Sequence, residues 1–296
     1  MHTEKANAKI NTYLNIQSRR EDGYHNIVSV MQTVSLCDFV TVDLQPAQET
    51  EITLSVSGNA EVPTDSRNLA WRAAERFLQT AKLTKKVHIA IQKQIPMAAG
   101  LGGGSADAAT VLRALNRLCQ MPFTTEELCQ IGLRLGADVP FCIRGGAMLV
   151  EGIGEVLHRA PDMPPCTLVV AIGKDGVSTP QAYALLDEKY SNFEHPHNKN
   201  TDVRELMDLW QKGDLCASSA HFFNVFEDVI AEQNADVDTI KLAMREGGAM
   251  RSVMSGSGPS VFGIFEDANE AEQASASLQK MGFRAFICHP CGRYID

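Results

Sequence analysis

The sequence predicts an α+β fold in two domains, and three observations lead there. Stretches that alternate every two residues are interspersed with stretches of three- and four-residue apolar spacing. The Pro-rich turn Met163–Cys166 parts the chain into two halves that each mix strand and helix. A length of 296 residues with 44% hydrophobic content supports about two domains of ordinary size. We expect residues 1–162 to form an N-terminal domain and residues 163–296 a C-terminal one.

In the first half, Ala8, Ile10, Leu14 and Ile16 share one face of a strand whose other face is polar, with Lys9, Asn11, Tyr13 and Asn15. Strand patterns recur at Phe39–Leu44, Ile52–Val56 and Val87–Ile91. Helical spacing of Leu69, Ala73 and Phe77 marks Asn68–Ala81, with Ser66 as an expected N-cap. Ala108, Val111, Leu112, Leu115 and Leu118 mark a helix starting near Ser105, and Thr124 with Glu127 forms a capping box for the next, which Gly136 stops. Asp138 follows in the turn LGADVP, and Gly145–Ala160 reads as a hairpin around Gly152 and Gly154.

The second half begins with a strand at Leu168–Ile172. Helices follow near Pro180–Glu188, Thr201–Gln211 and Asp236–Arg245, then strands around Met250–Met254 and Ser260–Phe265. A helix near Ala268–Met281 and a strand at Phe283–His289 complete the pattern.

With 27 Lys and Arg against 36 Asp and Glu, the net charge of -9 argues against a nucleic-acid partner, so any phosphate site must be local. No apolar run approaches the ~20 residues of a membrane span, and the chain reads as soluble, untargeted and cytoplasmic. Eight cysteines scattered among strands and helices fit reduced thiols, and Cys288 with Cys291, a lone CxxC, reads as two structural cysteines.

The segment PMAAGLGGGSADAA, Pro96–Ala109, lies between a strand and an amphipathic helix. Gly100, Gly102, Gly103 and Gly104 let the backbone turn tightly and bring several N–H groups close to an anion, while the helix start adds its positive dipole end. Such a loop is a phosphate cradle. It is not a Walker A loop, which needs Gly-Lys-Ser/Thr, nor a dinucleotide loop, because Ser105 stands at the third glycine position. Neither HRD nor DFG occurs, which excludes a eukaryotic-type protein kinase. Ser105 suits either a phosphate contact or a helix cap. Asp107, placed in the first helical turn, would favour the dipole but repel a triphosphate, and receives no catalytic role.

This loop resembles that of the galactokinase, homoserine kinase, mevalonate kinase and phosphomevalonate kinase superfamily. AKINTYLNI (Ala8–Ile16), RREDGYH (Arg19–His25), GLGGGSADAA (Gly100–Ala109), LGADVPF (Leu135–Phe141) and MSGSGPSVF (Met254–Phe262) together are similar to its branch that phosphorylates the 2-hydroxyl of a cytidine-diphosphate-linked methylerythritol, in the non-mevalonate route to isoprenoids. The resemblance implies an N-terminal domain of ribosomal-protein-S5 type, a C-terminal ferredoxin-like domain and an active site between them.

It also implies ATP and Mg2+ as cofactors and a catalytic pair, Lys9 and Asp138. ATP would lie along Pro96, Met97, Ala98, Ala99, Gly100, Leu101, Gly102, Gly103, Gly104, Ser105 and Ala106, with Asn68 and Leu69 on the adenine side. Tyr24 and Tyr183 would clamp the cytosine, His25 would read its edge, and Asn11 and Thr179 would hold the methylerythritol near Lys9. Ala106 stands where the family often has a second serine, and glycines replace serines of the wider superfamily, so the motifs assign no magnesium ligand; they fix no oligomeric state either. Two other readings stay open at this level: a kinase for mevalonate, homoserine or a sugar, which RREDGYH distinguishes, and a nucleotide-binding regulator without turnover.

Overall fold

The computed structural model describes residues 1–173, 176–190 and 203–294. Along the first half run β1 (His2–Arg19), β2 (His25–Pro46), β3 (Glu51–Ser57), α1 (Leu69–Ala81), β4 (Lys85–Gln92), α2 (Gly103–Leu118), α3 (Thr125–Leu133), α4 (Val139–Arg144), β5 (Ala147–Gly152) and β6 (Val156–Arg159). The second half contributes β7 (Thr167–Ile172), α5 (Thr179–Lys189), α6 (Val203–Gln211), α7 (Leu215–Ser219), β8 (Phe223–Asn224), α8 (Glu227–Gln233), α9 (Ala235–Glu246), β9 (Arg251–Met254), β10 (Val261–Phe265), α10 (Ala268–Lys280) and β11 (Arg284–Cys288).

Among the described residues the first sheet has the order β3-β4-β2-β1-β8, with β5 added to β2 and β6 to β5. Its spine is the long antiparallel pair β1–β2, whose register shifts between Asn7 and Lys9 and again between Asn11 and Tyr13. Bulges of this kind re-aim side chains, and here they bracket Lys9 and Asn11. Helices α1 and α2 cover one face: Phe77, Leu78, Val111, Leu112 and Leu115 pack on Val40, Val42, Val87, Ile89 and Ile91.

The second sheet has the order β11-β7-β10-β9 with antiparallel neighbours throughout, the 4-1-3-2 order of a ferredoxin-like unit. Strand β7 is apolar on both faces because both are covered. Leu168, Val170 and Ile172 join Ile10, Val30, Val34 and Ile95 of the first half in one core, whereas Val169 and Ala171 meet Ile240, Met244 and Leu278 of α9 and α10. Burial on this scale holds the two sheets together at roughly 25 cal/mol per Å² of apolar surface removed from water.

Several expectations shift. Strand β1 extends well beyond Ala8–Ile16, and its polar face is not solvated: Lys9, Asn11, Tyr13 and Asn15 are all buried. The first part of β2 was not anticipated. The N-cap of α1 is Asn68 and not Ser66, since the Asn68 side chain accepts from Ala70 N at 2.9 Å. Helix α2 starts at Gly103 behind Gly102, so Ser105 is not its cap. The capping box of Thr124 and Glu127 is present in full, and the hairpin forms as β5–β6. Thr201, where a helix was expected to start, lies outside the described residues; α6 is seen from Val203. None of the eight cysteines is paired in a disulfide among the described residues; Cys288 sits in the inter-sheet core, and Cys291 N–H bonds to the Thr33 carbonyl.

Candidate active site

A cleft of about 430 Å³ opens between the halves, walled by the glycine loop, Lys9 and Asn11 of β1, Asn68 and Leu69 at the start of α1, Asp138, and Thr179 and Tyr183 of α5. The loop is held from two sides. Lys9 N donates to the Leu101 carbonyl at 3.0 Å, and Ser260 N to the Ala99 carbonyl at 3.4 Å. Gly100 and Gly102 have φ of +74° and +68°, in the left-handed region that glycine enters without strain. Their lack of a Cβ matters equally: one on Gly102 would lie 3.0 Å from Lys9 Cγ, and one on Gly103 would lie 2.9 Å from Ile95 Cγ2. A Cβ on Gly104 would meet only Leu69 Cδ1, at 3.7 Å. These glycines therefore let protein pack on the loop as well as letting an anion approach it. No side chain caps α2, and Gly103, Gly104 and Ser105 at its start line the cleft, which leaves dipole and N–H groups for a phosphate.

Lys9 and Asp138 come together across this cleft. Lys9 Nζ lies 3.6 Å from Asp138 Oδ2, with side chains 5% and 31% exposed, so the ammonium is enclosed and the carboxylate open to the cleft. Asp138 occupies the N-cap position of α4 without using its side chain as a cap. Lys9 also donates to Asn11 Oδ1 at 2.7 Å, Asn11 Nδ2 to Ser29 Oγ at 2.8 Å, and Ser29 Oγ to the Tyr13 carbonyl at 2.6 Å. This chain of bonds fixes the ammonium. The turn MSGSG closes the far wall: Asn11 N donates to Ser255 Oγ at 3.3 Å, and Thr179 Oγ1 meets Ser257 Oγ at 2.8 Å.

Beneath the loop lies a buried group that the sequence reading missed. Lys93 Nζ donates to Asp38 Oδ2 at 2.5 Å and to Asp107 Oδ2 at 2.8 Å, and Asp38 Oδ1 accepts from Gln94 N and Ile95 N. Asp107 lies past the first turn of α2, and this ion network at the foot of the loop, not the helix dipole, is its setting. Burial, opposed by Lys93 and aided by Asp38, pushes its carboxyl up to about 7. The available sequence signal was a charge inside an apolar strand run, SLCDFV, together with a lysine just before the loop.

At the opposite end His25 is stacked on Tyr183, with centroids 4.7 Å apart and planes at 22°, and Phe226 meets Tyr183 edge-on at 5.0 Å. Burial first, then the charge of Asp138, pushes the Tyr183 hydroxyl up to about 12. Tyr24 stands at the hairpin tip with 61% exposure and is not in the cleft wall, so Tyr183 turns a face to His25 rather than to Tyr24. Of the other expected residues, His25 and Ala106 also lie outside the cleft wall, His25 buried against Tyr183; the rest line this one cleft.

Residues 68–146 match the GHMP kinases N terminal domain family, and residues 203–283 the GHMP kinases C terminal family. The 4-diphosphocytidyl-2-C-methyl-D-erythritol kinase of Clostridium beijerinckii is 38% identical over 283 residues, covering 96% of this chain and 98% of its own. That of Geobacillus kaustophilus is 39% identical over 288 residues, 97% and 96% of the two chains. The chain belongs to the 4-diphosphocytidyl-2-C-methyl-D-erythritol kinase family. It is a small-molecule kinase. A crystal structure of 4-(cytidine 5'-diphospho)-2C-methyl-D-erythritol kinase superposes with a TM-score of 0.79 at 30% identity, covering 98% of this chain and all of that one. Homoserine kinase from Cytophaga hutchinsonii shares the fold, with a TM-score of 0.70 at 18% identity over 97% of this chain and 95% of its own. Among the described residues, no helix is long and apolar enough to cross a membrane.

Proposed function

We propose that this kinase transfers the γ-phosphate of ATP to the 2-hydroxyl of 4-diphosphocytidyl-2-C-methyl-D-erythritol, on the non-mevalonate route to isoprenoid precursors. The observation that carries the chemistry is the meeting of Lys9 with Asp138 at the mouth of an uncapped, glycine-rich helix start. The family of the chain supports the acceptor.

Asp138 takes the proton of the acceptor hydroxyl, whose oxygen then forms the bond to the γ-phosphorus as the bond to ADP breaks. Lys9, held by Asn11, orients that hydroxyl and offsets the negative charge that builds up on the transferred group. The backbone from Pro96 to Ala106 cradles the triphosphate, with Asn68 and Leu69 beside the adenine. Asn11 and Thr179 hold the methylerythritol, and Tyr24, His25 and Tyr183 take the cytosine.

Mg2+ fits these residues. Among the described residues no three His, Cys, Asp or Glu side chains converge as a metal site, but Mg2+ is commonly held by one or two carboxylates together with phosphate oxygens. Asp138 would hold it together with phosphate oxygens, and the cation would supply charge neutralisation on those oxygens.

We assign residues 1–162 to a nucleotide-binding domain and 163–296 to a ferredoxin-like one, supported by the separation of β1–β6 from β7 and β9–β11 into different sheets. The net charge of -9 favours a small-molecule substrate over nucleic acid, in a cytoplasmic protein. The test is to incubate the protein with ATP, Mg2+ and a panel of alcohols comprising the cytidylated methylerythritol, mevalonate, homoserine and galactose. We expect one phosphorylated product by mass, from the cytidylated alcohol; a product from another alcohol at equal rate refutes the acceptor assignment.

A further inference from the structure

Asp187 lies one helical turn after Tyr183 on α5, so the two side chains share a face of the helix. His25 touches both: its ring is stacked on Tyr183, and its Nε2 lies 2.8 Å from Asp187 Oδ1. The other Asp187 oxygen lies 3.3 Å from the Arg19 guanidinium. Arg19 and His25 are themselves partners in the β1–β2 register, so one carboxylate grips both sides of the hairpin base. The His25 side chain is only 6% exposed, so its orientation is set by these neighbours and not by water.

A carboxylate can only accept, so the short contact to Asp187 requires that Nε2 carry the hydrogen. That hydrogen bond, with the stacking on Tyr183, fixes the orientation of the imidazole. We propose that Asp187 is a positioning residue of the acceptor pocket: it holds His25 against Tyr183 and thereby sets the affinity for the cytidine diphosphate handle. The inference rests on the reading of His25 and Tyr183 as cytosine-binding groups. Nothing in it touches the triphosphate cradle or the Lys9–Asp138 pair.

Cytidine 5'-diphosphate is the probe, titrated calorimetrically into the full chain and its variants. Loss of a hydrogen bond to a charged group typically changes affinity about 10- to 100-fold. Asp187→Ala is expected to weaken cytidine diphosphate binding by that factor and to raise the acceptor KM in parallel, with kcat at saturating acceptor and the affinity for ATP close to wild type. Asp187→Glu should recover part of the loss. The imidazole Nε2–H proton resonance of His25, sharp in the wild type, should vanish in Asp187→Ala. If that variant does not fold, Asp187→Asn, of equal size, serves with a smaller expected loss.

A folded variant with unchanged cytidine diphosphate affinity overturns the proposal, even if its melting temperature has fallen, because Asp187 is then only a link between α5 and the hairpin. Failure of the wild type to bind cytidine diphosphate sinks the acceptor reading itself, and the proposal with it. The two failures are told apart by the wild-type titration alone.

Discussion

Ser255 donates its hydroxyl to the Gly100 carbonyl at 3.2 Å, and a Cβ placed on Gly100 would lie only 2.1 Å from the carbonyl oxygen of Ser255. The glycine loop and the turn between β9 and β10 are thus packed backbone to backbone, and only glycine fits. Gly100→Ala adds left-handed strain, of order 1–3 kcal/mol, to this clash. We predict a lowered melting temperature and weakened ATP binding for Gly100→Ala, and a near-normal melting temperature for Gly104→Ala, whose Cβ makes an ordinary contact with the protein. Thermal unfolding and ATP titration check both; equal behaviour of the two variants would contradict this packing.

Tyr24 is 61% exposed, so Tyr24→Ala should change stability by no more than about 0.5 kcal/mol. Stacking of a base on an aromatic side chain is worth roughly 1–3 kcal/mol. The acceptor KM should therefore rise about 5- to 150-fold while the ATP KM stays put. Steady-state kinetics with each substrate varied in turn measures both constants, and an unchanged acceptor KM removes Tyr24 from the pocket.

The pH dependence of stability should carry the mark of Asp107. Two carboxylates share the Lys93 ammonium, and Asp107 Oδ1 is buried with no hydrogen-bond partner among the described residues, so no donor there favours the charged form. Its folded value, pushed up to about 7 from 3.8, means that the folded state holds a proton that the unfolded chain releases. The associated stability is fully present below about pH 4 and is lost as pH rises through about 7. Asp107→Asn, neutral at every pH, should fall less between about pH 5 and pH 8 in urea unfolding than the wild type does. Parallel curves for the two proteins would show that the site holds no such proton.

Local features of the site were legible in the sequence, whereas those made by distant residues were not. The glycine loop, the capping box before LGADVP, and the places of Lys9 on a polar strand face and of Asp138 in a turn follow from short-range pattern, whereas their pairing came only from the family resemblance. The burial of Lys9 does not follow from the pattern, because a polar face on β1 looks the same whether water or a cleft lies beyond it; the glycine loop supplies the cover. The Asp38–Lys93–Asp107 network joins β2, the residue after β4 and α2, and its members are far apart in sequence. Asp187 reads as one more charge on a surface helix until His25 and Arg19 are seen to converge on it. The early part of β2 shows no clean period because the strand is largely covered on both faces and changes partner from β5 to β4 along its length.

The central claim is that Asp138 and Lys9 perform phosphoryl transfer in this cleft. Single-turnover kinetics of Asp138→Asn and Lys9→Met, with ATP and the cytidylated methylerythritol both prebound, tests it most directly. We predict a chemical step slowed by about 100- to 10,000-fold in Asp138→Asn, with a large loss also in Lys9→Met and dissociation constants for ATP close to wild type in both. A single-turnover rate in Asp138→Asn within a few-fold of wild type, with both ligands bound, would contradict it.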